Sequence, residues 1–213
     1  MRNFRALLVL ALASTPALLA QTWEVGVGVG APFYNSQTFT NPIGSASASL
    51  STGWVTSAWL GNNLRGRRLG GELRYDYEST DLKLSSGSTH ATFAANTQAI
   101  HYDFLFHFAS QEAAVRPFVS AGGGVKFFHG TGKETITQPL MGIGLLTRTT
   151  ETKGMVSVGG GIKFNINHRL QLRVEVHDYM TPFPTKVITP ARGSKTGGWL
   201  MDFVPMGALA VTF

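Results

Sequence analysis

Cysteine is absent from the 213 residues, which excludes a disulfide framework, thiolate metal ligands and a thiol nucleophile. Charge is scarce at 14% of residues, against 43% hydrophobic and 11% aromatic, so the chain is not disordered. Beyond residue 20 no run of 18 or more apolar residues occurs, and no segment reads as a transmembrane helix. Acidic residues are the scarcer sign, 12 against 18 Lys+Arg, for a net charge of +6. Two of those arginines lie in the first five residues, and no nucleic-acid partner is expected. The length suits one domain.

Residues 1–20 read as a signal peptide. Arg2 and Arg5 form a basic start, Ala6 to Ala13 an apolar run, Thr15-Pro16 a break, and Ala20 a small residue before the cut. Leu18 is larger than an A-x-A cleavage pattern prefers. Losing Arg2 and Arg5 leaves 16 basic against 12 acidic side chains, a net charge of +4. Export without cysteine suits a bacterial envelope protein that does not rely on disulfides. The expected division is 1–20 signal peptide and 21–213 a single barrel domain.

From residue 21 onward the hydrophobic period is two. Trp23, Val25, Val27 and Val29 interleave with Glu24 and three glycines, and Leu73, Tyr75 and Tyr77 with Glu72, Arg74, Asp76 and Glu78. Ile100, Tyr102, Phe104, Phe106 and Phe108 interleave with His101, Asp103, Leu105 and His107. The pattern recurs around Val119–Phe127, Val156–Ile166, Leu170–Val176 and Phe203–Phe213, with a weaker strand carrying Trp54 and Trp59. Eight strands are predicted.

Alternation also fits a soluble β-sandwich. Three features favour a membrane barrel: charges at mid-strand on the polar face with aromatics on the other, links that alternate short and long, and a chain that stops on strand residue Phe213. The short links fall near residues 61–69, 109–114 and 167–168, the long ones near 34–46, 79–91, 129–153 and 180–198. The fold class expected is all-β, a transmembrane antiparallel up-and-down barrel of eight strands with short periplasmic turns and long external loops, in the bacterial outer membrane.

The terminal Ala208-Leu209-Ala210-Val211-Thr212-Phe213, the eight alternating strands and the stretch Arg116-Pro117-Phe118-Val119-Ser120-Ala121-Gly122-Gly123-Gly124-Val125 resemble small OmpA/OmpX-type outer-membrane barrels. The resemblance specifies architecture more than activity. It implies outer-membrane lipid, lipopolysaccharide and the barrel-assembly machinery as partners, with Phe213 as the assembly signal, and a monomer.

A barrel of eight strands has room for side chains or one small ligand. The inward set carries Glu24, Glu72, Asp76, Glu78, Asp103, Glu175 and Asp202 against Arg74, Lys126, Lys163 and Arg173. Such charges must pair or stay hydrated. Arg74 and Arg173 are expected to organise Glu72, Asp76 and Glu175, with Lys126 and Lys163 contributing, as an ion-pair plug. A narrow selective pore through the same charges is the competing reading. The glycine runs 122–124 and 159–161 lack a P-loop lysine pattern and read as close backbone approach.

Some barrels of this size modify lipids with serine and histidine. Here His177-Asp178 and His129 end strands near the predicted external rim, but the deacylase-type His-x-Ser-Asn sequence is absent. No enzyme, cofactor or metal site is expected. The loops carry Lys133, Arg148, Lys153, Lys186, Arg192 and Lys195 against Glu134 and Glu151, a mild basic excess facing an anionic surface. Phe39, Ile43, Leu140, Met141, Ile143, Leu145 and Leu146 make the loops apolar, most of all within residues 139–146. That stretch either covers the barrel mouth or meets a hydrophobic ligand, the second option resembling the OmpW family. The expected function is a structural or surface-interaction barrel with a plugged lumen; the alternative is a narrow channel or binding site for small hydrophobic molecules.

Overall fold

The computed structural model describes residues 21–64, 67–133, 137–194 and 198–213. The signal-peptide segment 1–20 and the loop charges Glu134 and Lys195 lie outside the described residues. The fold is all-β. In chain order the strands are β1 (Gln21–Gly30), β2 (Phe33–Tyr34), β3 (Gln37–Asn41), β4 (Gly44–Leu50), β5 (Trp54–Leu64), β6 (Leu69–Ser86) and β7 (Thr89–His107). There follow β8 (Val115–Gly130), β9 (Gly144–Leu146), β10 (Thr150–Asn165), β11 (Leu170–Pro182), β12 (Ile188–Pro190) and β13 (Trp199–Thr212).

Eight of these are long, and their antiparallel pairings run β1–β5–β6–β7–β8–β10–β11–β13. β13 pairs in turn with β1, from Glu24↔Thr212 to Gly30↔Met206. Beyond that register Trp23 and Phe213 exchange both backbone hydrogen bonds, each at 3.0 Å. Satisfied backbone groups are what hydrocarbon demands of a spanning sheet.

The connections explain the ends. At one end they are short; the turn after β10 is held by Asn167, whose Oδ1 accepts from the amides of Arg169 and Leu170 at 2.9 and 2.8 Å. At the other end the expectation that the long connections are loops is corrected. The described residues hold thirteen strands, five short ones beside the eight long, because the long connections fold as well. Residues 79–91 are not a loop: β6 and β7 continue through them to a tight turn at Gly87-Ser88, where Gly87 takes φ 57°. β4 pairs with this extension, and β3 pairs with β4.

Burial along β6 shows why one strand serves two solvents. Leu73, Tyr75 and Tyr77 face outward while Glu72, Arg74, Asp76 and Glu78 face inward and are buried. Past Thr80 the polarity inverts: Leu82 and Leu84 are buried inside, and Asp81 and Lys83 face out. β7 matches it, with Ile100, Tyr102, Phe104 and Phe106 exposed in one half and Ala91, Phe93 and Ala95 buried in the other. Apolar-out is the pattern of lipid contact and polar-out that of water, so the inversion marks where the sheet leaves the bilayer. Exposed aromatics gird both edges of the apolar band, Trp54, Trp199, Phe33 and Phe203 toward the long-loop end and Phe104, Phe106, Phe108 and Phe213 toward the other.

Beyond the inversion lies an apolar core of its own. Phe39, Ala48, Leu82, Leu84, Phe93, Phe128, Leu146, Val187 and Ile188 pack together, with Phe39 edge-on to Phe183 at 5.6 Å. The apolar stretch 139–146 belongs to it through Leu140, Ile143 and Leu146, and β9 is pinned there by pairing with β12. It covers the end of the sheet. Met141 and Ile43 stay exposed.

Candidate functional site

The interior between the apolar core and the short-turn end is charged, and it is built in layers. The lowest centres on β6 and β11, four places apart in the cycle of eight pairings and so on opposite walls. Arg74 of β6 binds Glu72 at 2.7 Å and Glu175 at 2.8 Å. Arg173 of β11 binds the same two, Glu72 at 3.0 Å and Glu175 through Nη2. Two arginines and two glutamates thus alternate in a ring of charge across the interior. Glu24 joins it from β1, accepting from Arg173 at 2.9 Å, Lys163 at 2.8 Å and the indole N–H of Trp59 at 3.0 Å.

Trp59 was not foreseen as part of this group. Its ring lies 4.8 Å from the guanidinium carbon of Arg74 and 4.5 Å from that of Arg173, a cation–π support for both. Room for it comes from Gly26 on the neighbouring strand, since a Cβ there would fall within the indole ring. The glycine in the β1 alternation was the available signal.

Asp76 departs from the expected arrangement. It binds neither arginine; Oδ2 meets His101 Nε2 at 3.0 Å and accepts from Tyr179 OH at 2.9 Å. The reason is reach: two residues beyond Arg74 on the same face, Asp76 lies about 7 Å higher, too far for a short carboxylate. His101 Nδ1 faces Asp103 at 3.1 Å, and Ser157 donates to Asp103 at 3.2 Å. His177, which the sequence placed near the external rim, is instead buried inside, 3.7 Å from both Asp103 and Glu175 and stacked on Tyr179. β11 runs on to Pro182, which carries the rim past it. The inward glycines Gly122, Gly124, Gly159 and Gly161 admit these side chains: a Cβ at each would meet Asp103, His101, His177 or Glu175.

The uppermost layer joins Lys126 to Glu78 at 2.9 Å and to Asp202. Tyr34 and Thr97 both donate to Glu78. Tyr34 was also missed, because it comes from the short strand β2 that folds down onto β13. Lys126 lies 6.0 Å from the ring of Phe128, the residue at which the apolar core begins.

All eleven charged residues placed inward from the sequence, from Glu24 to Asp202, are buried on the inward face. Buried ion pairs of this kind tie neighbouring and facing strands together. Among the described residues no cluster of His, Asp and Glu is arranged to hold a metal. His129 ends β8 half-buried, near the apolar core.

The model of the outer membrane protein beta-barrel domain family matches residues 6–183. No curated protein sequence matches the chain. Among solved structures, outer membrane protein OprG from Pseudomonas aeruginosa aligns at a TM-score of 0.57 and 11% identity, over 91% of this chain and 96% of that one. Neisserial surface protein A aligns at 0.55 and 11%, over 90% and 97%. At such identity the likeness is one of fold.

Proposed function

The chain belongs to the family of outer membrane protein beta-barrel domains, and we propose that it is a closed eight-stranded barrel of the OmpA/OmpX type whose lumen is plugged. It is an outer-membrane protein, and its role in this reading is structural or at the cell surface. The observation that carries the reading is the stacking of three charged layers beneath an apolar cap. Arg74, Glu72, Arg173 and Glu175 cross-link opposite walls, Lys126 ties three strands above them, and Phe39, Phe93, Phe128 and Leu146 close the outer end. An interior of eight strands is normally filled in this way.

In the same reading residues 1–20 are removed on export, the short turns face the periplasm and the barrel works as a monomer without enzymatic activity. Exposed Lys83, Lys133, Lys186 and Arg192 on the external part face lipopolysaccharide phosphates. Phe213, exposed at the end of β13, serves the barrel-assembly machinery. The OmpW-like alternative, passage of small hydrophobic molecules, needs the apolar stretch 139–146 to line an opening; its Leu140, Ile143 and Leu146 are spent on the cap.

Planar-bilayer recording tests the proposal. The purified protein is expected to give no steady conductance, and Arg74→Ala with Arg173→Ala to give flickering leak. Steady conductance of the unaltered protein, blocked by an apolar solute, would overturn the plug.

A further inference from the structure

The short-turn end of the barrel holds a cavity of about 800 Å³, bounded by the first residues of β1, β8 and β11 and the last of β5, β10 and β13. Arg116 lines it and is only 2% exposed. Its contacts are meagre for a buried guanidinium: Nη1 lies 3.4 Å from Asn63 Oδ1, Nε 3.4 Å from the carbonyl of Ala109, and Nη2 has no partner. Among the described residues it forms no ion pair.

The neighbouring charges explain why. Lys163, directly opposite Arg116 in the β8–β10 register, takes Glu24. The two oxygens of Glu24 are then occupied by Lys163, Arg173, Trp59 and Asn63. The lowest layer therefore holds four cations, Arg74, Arg116, Lys163 and Arg173, for three carboxylates, Glu24, Glu72 and Glu175, and Arg116 is the one left over. A buried guanidinium with no ion-paired carboxylate, attracted only at longer range by Glu24 and by exposed Glu112 across the cavity, is costly, and a buried donor without an acceptor adds to that.

A second unpartnered group lines the same cavity. Gln171, 4% exposed, donates to Asn165 Oδ1 at 2.7 Å, which leaves its Oε1 free to accept. A free cationic donor and a free neutral acceptor together describe a ligand with an anionic oxygen and a hydroxyl or amide hydrogen. The volume lies in the range of small-molecule sites, about 300–1,000 Å³, well beyond a lone ion.

We infer that this cavity binds a small oxyanion bearing a hydrogen-bond donor, a hydroxycarboxylate or hydrogen phosphate, with Arg116 on the anionic oxygen and Gln171 on the donor. Glu112, exposed at the cavity wall, opposes the ligand's charge. The inference holds whether the lumen above is plugged or conducts, because the site is complete beneath the charged layers.

Calorimetric titration of the protein in phosphatidylcholine nanodiscs tests it, with inorganic phosphate, lactate and propionate as probes. All three are expected to bind at millimolar concentration, lactate more tightly than propionate. Arg116→Met should weaken each by about tenfold or more. Gln171→Leu should bring lactate down to propionate and leave propionate unchanged, and Glu112→Gln should tighten all three. Empty Arg116→Met should resist urea at least as well as the unaltered protein, having lost an unpaired buried charge, and phosphate should protect only the latter. No binding of any probe, or equal affinity in the unaltered and Arg116→Met proteins, would overturn the site. Should the methionine variant fail to fold, Arg116→Lys and Gln171→Leu carry the comparison: lysine must bind phosphate more weakly than arginine, and equal affinity counts against the site.

Discussion

Arg173→Ala is the perturbation that probes the charged interior most directly. Its guanidinium is fully buried and contacts Glu24 at 2.9 Å, Glu72 at 3.0 Å and Glu175 through its second terminal nitrogen. Removing one partner of a buried ion pair costs about 3–5 kcal/mol, because the remaining charge stays desolvated. No discount for solvent screening applies to side chains exposed by 2% or less. Each stranded carboxylate does keep one cation: Lys163 for Glu24, Arg74 for Glu72 and Glu175. The loss should therefore stay near the lower end of that range, and Arg74→Ala should behave alike. The two together leave Glu72 and Glu175 with no arginine, so the double variant should exceed the sum of the singles by about 0.5–3 kcal/mol. Urea unfolding in lipid vesicles, followed by tryptophan fluorescence and by heat-modifiable gel mobility, measures all four corners of the cycle. Losses under about 1 kcal/mol, additive in the double variant, would mean that water screens these groups as it does on a surface, and the ring of charge would not be a stabilising element.

Gly26→Val should displace Trp59 from between the arginines and its wall, costing about 1–3 kcal/mol and shifting the tryptophan emission; unchanged emission would refute the close approach. Leu146→Ala should cost about 2–5 kcal/mol in the external core, raising protease sensitivity outside the membrane while the spanning part keeps its heat-modifiable mobility. Spin labels along β6 should be reached by lipid-soluble oxygen at Leu73 and Tyr75 but by a water-soluble relaxant at Lys83; oxygen access at Lys83 would misplace the inversion. Deleting Phe213 should sharply lower the amount of protein reaching the outer membrane, and normal levels would make it an ordinary lipid contact.

The spanning part of the sheet was legible because a strand between lipid and a polar lumen must alternate, and no soluble core tolerates Glu72, Arg74, Asp76 and Glu78 at every second position. The extension of β6 and β7 was legible as well, in principle: Thr80, Leu82 and Leu84 keep the same parity, with Asp81 and Lys83 between them. It reads as a loop in the sequence because the polarity changes sides there, and serine, threonine and glycine around the turn resemble loop composition. A rule keyed to alternation alone, blind to which side is apolar, would have carried the strands through.

The sequence by itself determined which residues face inward, since a period of two leaves a strand only two choices and hydrocarbon excludes one of them. It also determined the arginines as hubs, by number and fork geometry. The tertiary structure decided the partners. Glu175 meets Arg74 across 101 positions of chain because β6 and β11 stand on opposite walls, a distance set by strand pairing and invisible to local pattern. Asp76 went to His101 rather than to an arginine through the height at which each side chain sits, and Arg116 was left without a carboxylate because Lys163 and Arg173 reach Glu24 first. Facing follows from the solvent on each side of a strand; pairing follows from the stagger between strands, which only the closed set of register contacts fixes.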